Sequence, residues 1–204
     1  REVAENQAQV REYLELAGKL GCPFVRVFGA EIPKSRFFGF ERREIVLGRI
    51  AKALRELTPY AAANRVTILV ENSGDFSDSA AMWYLVDAAN SPVVRCCWNP
   101  FAARLKGERP TTSIPRLGAS IGLVHVTDGK FASPGQFDSY VLPGQGDVEL
   151  SRMMQLLKGV GYRGYVVVDW PKLWNPSLAD ADKALPAAAK YLQTQPDEKP
   201  LVLK

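Results

Sequence analysis

The sequence predicts an α/β protein built on a parallel sheet, and three observations carry that expectation. Helical and strand periodicities alternate from one end of the chain to the other. The strand segments are near-continuous apolar runs, the pattern of a sheet covered by helices. Four consecutive strands then finish in residues that can offer oxygen or nitrogen to one point: Glu71–Asn72, Asn99, His125 with Asp128, and Asp169. With 204 residues, 47% of them hydrophobic, the chain has enough apolar content for one packed domain over residues 1–204.

Val3, Val10, Leu14, Ala17 and Leu20 form a stripe at helical spacing that Gly21 stops. Pro23 to Phe28 reads as a short buried strand. Val46, Leu47, Ile50, Ala53, Leu54, Leu57 and Ala61 mark a second helix, and Arg65 to Asn72 is a β-branched strand bounded by Gly74. A helix over Ala80–Ala89 and a strand from Pro92 to Asn99 follow. A polar, Pro-containing connection and a helix around Ile114–Ala119 lead to the strand Ile121–Asp128. The next twenty or so residues, up to Gly146, are rich in Gly, Pro and Ser and predict a long loop, functional or mobile. Leu150, Met153, Met154, Leu157 and Val160 mark a helix, Tyr162–Trp170 contains a strand, and a last helix follows Asp180. The tail over residues 194–204, with Pro196 and Pro200, is expected to be loose. The chain opens in helical rhythm and without Met, as the continuation of something longer would.

Composition removes several classes. Gly 16, Pro 14 and Cys 3 are ordinary contents, so disorder, collagen-like repeats and a disulfide scaffold are excluded. Cys22, Cys96 and Cys97 make an odd set, and adjacent strand residues point to opposite faces, so a reduced, cytoplasmic protein is expected. No apolar run approaches the roughly 20 residues of a membrane span. The charge of +4 is spread along the chain. It forms no basic arm or stripe for nucleic acid. No strand is followed by GxGxxG and no GxxxxGK[ST] occurs, so neither phosphate-cradling turn is available.

Ligands of barrels and open α/β sheets collect beyond the carboxyl ends of the strands, which is where Glu71, Asn99, His125, Asp128 and Asp169 fall. Alternation makes the placement testable. If Glu71 faces inward, so do Thr67 and Leu69, and Ile68 and Val70 face the helices. If Asp169 faces inward, so do Tyr165 and Val167, and Trp98 and Trp170 point outward. Taken alone, each residue also has a plain reading: Glu71 as the partner of Arg26 or Arg95, His125 as a core histidine, Asn99-Pro100 as a turn, Asp169 as a cap, and Cys97 as a buried small hydrophobe.

The segments "LVENSGDF", "WNPFAAR", "LVHVTDGK", "LPGQGDV" and "GYRGYVVVDWPKLWNP", after the lead-in "LGCPFVRVFGA", occur in an order and spacing that resembles the xylose-isomerase-like sugar phosphate isomerases and epimerases. The match runs from Leu20 to Leu192. The resemblance implies a (β/α)8 TIM-barrel fold of which the last five units are present and the first three strands are lacking. It also implies a divalent metal at the carboxyl end of the strands, and proton transfer between neighbouring carbons of a sugar through a metal-bound enediolate.

Position by position, the resemblance implies Glu71, Asn99, His125 and Asp169 as metal ligands. Asn99 stands where Asp is expected, Asp169 where Glu is expected, and Gln145 and Pro171 where many relatives carry Glu. Glu71 and Asp169 are then the paired carboxylates that remove and return the proton. Arg26, Arg104, Asp128 and Lys172 are candidates for substrate contacts. One imidazole among oxygen donors favours Mn²⁺ or Mg²⁺, with Zn²⁺ or Co²⁺ also accommodated. Asn for Asp removes one negative charge from the donor set, and Asp for Glu shortens the reach by roughly 1.5 Å, so weak metal binding is expected. The implied partner is a small sugar or keto-sugar derivative, and a homo-oligomer is compatible with the sequence. The alternative is a non-catalytic sugar- or small-molecule-binding relative with a degraded metal site. The related endonuclease branch needs several His ligands, and the sequence has 1.

Overall fold

A computed structural model describes residues 2–29, 31–35 and 39–194. Helix α1 (Glu2–Leu20) is followed by β1 (Phe24–Phe28), a small antiparallel pair β2 (Lys34–Ser35) and β3 (Gly39–Phe40), and α2 (Arg43–Asn64). Then come β4 (Thr67–Glu71), α3 (Ser79–Ala89), β5 (Val94–Trp98), α4 (Pro100–Leu105), α5 (Pro110–Leu117) and β6 (Ile121–Val126). The hairpin β7 (Asp128–Ser133) and β8 (Gln136–Val141) precedes α6 (Leu150–Gly159), β9 (Tyr165–Val168) and α7 (Ala181–Gln193). Among the described residues, no helix is long and apolar enough to cross a membrane.

The main sheet has five strands in the order β1-β4-β5-β6-β9, every neighbouring pair parallel. This is an α/β fold whose five strands form an incomplete TIM barrel. Its convex face is the core. Ile68, Val70, Cys96, Trp98, Val124 and Val126 are fully buried there and belong to one cluster with Leu54, Leu57, Met82, Leu85 and Ile114 of the helices. A fully buried aliphatic side chain contributes about 1.5–3 kcal/mol, so this layer outweighs any polar contact on the other face.

The concave face carries the polar residues. Glu71 pairs in register with Phe28 of β1 and Cys97 of β5, and His125 with Val167 of β9. At the edges this face is open: Phe28, Tyr165 and Val167 are 58%, 68% and 39% exposed.

Local chemistry sets the helix ends. α2 stops where Arg65 turns left-handed at φ 57 and its N–H returns to the carbonyls of Ala61 and Ala62. α3 starts at Asp78, whose carboxylate accepts the Ala81 N–H at 3.0 Å.

Two segments differ from the expectation. The connection after Asn99 contains α4, with Pro100 at its first position. The Gly/Pro/Ser-rich stretch is no open loop but holds the β7–β8 hairpin, turning at Gly135 (φ 80). Phe101 of α4 stacks against Phe131, Phe137 and Tyr140 of the hairpin, with ring centroids 5.3–5.8 Å apart. The tail expected to be loose lies, from residue 195 on, outside the described residues.

Between β5 and β6 the register shifts at Cys96/Cys97 and turns Gly122 onto Leu69 and Arg95. A Cβ at 122 would sit 2.7 Å from Leu69 Cδ2 and 3.0 Å from Arg95 Cβ. The Gly122→Ala variant is therefore expected to lose about 1–3 kcal/mol in urea unfolding, the cost of overpacking a filled interior.

Candidate functional site

Glu71 is the last residue of β4 and is 4% exposed. A carboxylate so placed needs compensation, and three side chains supply it. Arg26 of β1 donates to Oε2 at 2.8 Å, the Asn99 amide N–H2 donates to Oε1 at 3.1 Å, and His125 Nδ1 lies 3.1 Å from Oε1. Arg26 Nη1 is also 3.5 Å from His125 Nδ1. Burial pushes the Glu71 carboxyl up, but His125, Asn99 and Arg26 together bring it below its ordinary value.

The backbone around Glu71 is fixed by the buried Asn72. Its Oδ1 accepts the Asn99 N–H at 2.6 Å, and its amide donates to the carbonyls of Asn99 at 2.8 Å and Ser77 at 2.9 Å. Strand ends β4 and β5 are thereby tied side by side. Asn99 caps α4, its Oδ1 accepting the Ala102 N–H at 3.2 Å. The amide oxygen thus faces the helix and the amide nitrogen faces Glu71.

Asp169 follows β9, where its N–H donates to the Val126 carbonyl at 2.9 Å and its own carbonyl accepts from Thr127 Oγ1 at 2.7 Å. Its exposed carboxylate stands on the wall of a cavity of about 270 Å³ shared with Asn99, Thr127, Tyr140, Trp170 and Trp174. Burial, and then the nearby Asp169 carboxylate, push the Tyr140 phenol up.

Of the residues singled out in the sequence, Glu71, His125, Asn99 and Arg26 therefore meet in one cluster, and Asp169 lies on the adjoining cavity. The other three are engaged elsewhere. Asp128, 1% exposed, accepts the backbone N–H groups of Gly129, Gly144, Gly146 and Val148 at 2.9–3.3 Å. It clasps both ends of the hairpin segment, and a Cβ at Gly146 would fall 2.0 Å from its Oδ1. Lys172 donates to the carbonyls of Pro176 and Leu178 and pairs with Asp180 at 3.0 Å, which knots the segment after β9. The Arg104 guanidinium lies over the Phe131 ring at 5.4 Å. Trp170, expected to face the helices, lines the cavity and donates from Nε1 to the Ala179 carbonyl at 2.9 Å.

Cys97, read from the sequence as a packing residue, sits in the cluster beside Glu71, its register partner. Glu71, Cys97 and His125 each offer a ligand atom, and these atoms all lie within 4.8 Å of one another. Burial first, and then the Glu71 carboxylate, push the Cys97 thiol up to about 12. The signal available in the sequence was register: strand position 97 faces the same side as position 99.

A family model described as "xylose isomerase-like TIM barrel" matches residues 1–195. The chain belongs to this family. Solved structures with the same fold include a xylose isomerase domain protein from Planctomyces limnophilus, at TM-score 0.74 and 19% identity over 94% of this chain and 64% of that one. Another is a D-allulose 3-epimerase from Methylomonas sp. crystallised with D-allulose, at TM-score 0.75 and 18% identity over 95% of this chain and 70% of the other. A third is the IolI protein with a binding zinc atom, at TM-score 0.76 and 20% identity over 92% and 68%. The chain thus spans about two thirds of the length of the structures it matches. No curated protein matches the sequence.

Two measurements check the roles of the buried carboxylates. Asp128→Ala leaves four backbone N–H groups without their acceptor, and is expected to cost roughly 2–4 kcal/mol in urea unfolding and to open the hairpin to protease. Because Glu71 is held below its ordinary 4.5, its contribution to stability is fully present above that pH and fades as pH falls through the lowered value. Thermal melts of chelator-treated protein are expected to fall more steeply below pH 4.5 for wild type than for Glu71→Gln.

Proposed function

We propose that the protein is a divalent-metal-dependent sugar isomerase or epimerase acting on a small sugar or keto-sugar derivative in the cytoplasm. The observation that carries the reading is the Glu71–His125–Asn99 cluster at the carboxyl ends of the strands, with Asn99 and Asp169 both lining the adjoining cavity. The family supports it, and so do neighbours whose names state sugar 3-epimerases and a zinc-binding protein.

Glu71 and His125 would hold the metal, since a carboxylate oxygen and an imidazole nitrogen, both metal-ligand atoms, lie 3.1 Å apart. Once bound, such an ion polarises a sugar carbonyl and lowers the barrier to removing the neighbouring proton. The remaining work falls to this chain's own residues. Glu71, kept ionised by Arg26 and His125, is suited to accept a proton from substrate carbon. Asp169, whose carboxylate lines the cavity, is the residue we assign to return a proton. The Asn99 amide, held by the cap of α4, orients the Glu71 carboxylate. Tyr140, Trp170 and Trp174 give the cavity the aromatic walls on which the C–H face of a sugar packs.

A second reading, a sugar-binding relative without turnover, is favoured by one contact: Arg26 already neutralises Glu71 at 2.8 Å. Exchange of carbon-bound hydrogen separates the two. Incubated with Mn²⁺ or Zn²⁺ and a panel of ketohexoses in D₂O, the wild type is expected to place deuterium next to the carbonyl, seen by NMR. Glu71→Gln and Asp169→Asn are each expected to lose at least about 100-fold of that rate. Sugar binding with no exchange would leave the non-catalytic reading.

A further inference from the structure

We propose that Cys97, rather than Asn99, is the third protein ligand of the metal, and that Arg26 is a tethered cation which the metal displaces. The inference rests on the metal-site reading above and deepens it, since it changes which ion the site prefers.

Three observations lead there. The first is the Asn99 amide. Its oxygen accepts the Ala102 N–H and its nitrogen donates to Glu71. Turning the amide over would set N–H2 against N–H and oxygen against carboxylate, so both neighbours fix the orientation found. The group that Asn99 shows the cluster is a donor, and a donor repels a cation. Ligation would also give up the cap of α4, worth about 1 kcal/mol.

The second observation is the position of Cys97. It is the register partner of Glu71 on the adjacent strand, fully buried, with Sγ in the same triad as the Glu71 carboxylate and His125. Asp169 stands outside that triad, exposed on the cavity wall. Carboxylate, thiolate and imidazole would supply the three protein ligands that catalytic zinc sites use. A thiolate selects Zn²⁺ or Co²⁺ over the Mn²⁺ or Mg²⁺ that an all-oxygen set with one imidazole would favour. As the sulfur–metal bond forms, the thiol proton leaves to solvent, and no oxidant or reductant is involved.

The third observation is charge. Glu71 is now balanced by Arg26, whose Nη1 is 2.8 Å from Oε2 and 3.5 Å from His125 Nδ1. A dication shared by Glu71, Cys97 and His125 would find a like charge already against two of its ligands. The Arg26 side chain is 43% exposed and stacks over the exposed Phe28 ring at 4.7 Å, leaving its solvent side open for it to swing outward. It therefore competes with the metal for the same carboxylate.

The test is cobalt and zinc binding to the full chain. Wild type loaded with Co²⁺ is expected to show an intense near-ultraviolet sulfur-to-cobalt charge-transfer band. The band is expected to vanish in Cys97→Ala and Cys97→Ser, with Zn²⁺ affinity falling by more than about 100-fold, beyond the cost of losing an outer hydrogen-bond partner. Arg26→Gln is expected to bind Zn²⁺ at least about tenfold more tightly, as loss of an adjacent like charge requires. If the substitutions at 97 prevent folding, the wild-type spectrum alone decides. Co²⁺ bound without the band, or Zn²⁺ affinity unchanged in the folded Cys97 variants, overturns the thiolate ligand and leaves the isomerase reading standing. Unchanged or weaker Zn²⁺ binding by Arg26→Gln overturns the competition. A charge-transfer band without hydrogen exchange on any sugar keeps the ligand and removes the isomerase reading, and failure of wild type to bind either ion removes both.

Discussion

A buried carboxylate with its compensating donors is the constraint on which the concave face depends. Glu71 cannot stay ionised at 4% exposure without partners, and its partners come from three other strands: Arg26 from the middle of β1, Asn99 after β5, and His125 near the end of β6. Four parallel strands are thereby tied together by a single charge. Asn72 adds the backbone half of the same tie, binding the chain after β4 to that after β5. The convex face provides the stability, through Trp98, Ile68, Val70 and their helical neighbours, and the concave face spends some of it on polar order.

That division explains what the sequence could and could not show. The order of strands and helices was legible because the convex face requires continuous apolar strands and striped helices, and both are periodic signals. Inward placement of Glu71 and His125 was legible for the same reason, since one side of a strand fixes the other. The β7–β8 hairpin was not. Its Gly, Pro and Ser content masks a short alternation in which Phe131, Phe137 and Tyr140 find their partner only when Phe101 arrives from α4. α4 itself is six residues long, too short for a helical period to emerge.

Side-chain engagement was the least legible layer. Asp128 and Lys172 stand at strand ends where ligands gather, yet three of Asp128's partners are backbone groups 16 to 20 residues away, and Lys172 binds carbonyls 4 to 6 residues on and the Asp180 carboxylate, all brought close by loop geometry. Asn99 shows a subtler limit. Its location at the site follows from spacing, but whether its oxygen or its nitrogen faces Glu71 depends on the helix that begins at the next residue. Arg26 fits the plain reading, as the ion-pair partner of Glu71.

The Asp128 clasp has a mechanical consequence for the cavity. Gly129 and Val148 bind one carboxylate oxygen and Gly144 and Gly146 the other, so both feet of the β7–β8 flap are bolted to the same side chain. Fraying from one foot gains little freedom while the opposite foot is still fastened. Lifting the flap, and with it Tyr140 from the cavity wall, is therefore an all-or-nothing event whose frequency is set by four amide contacts breaking together.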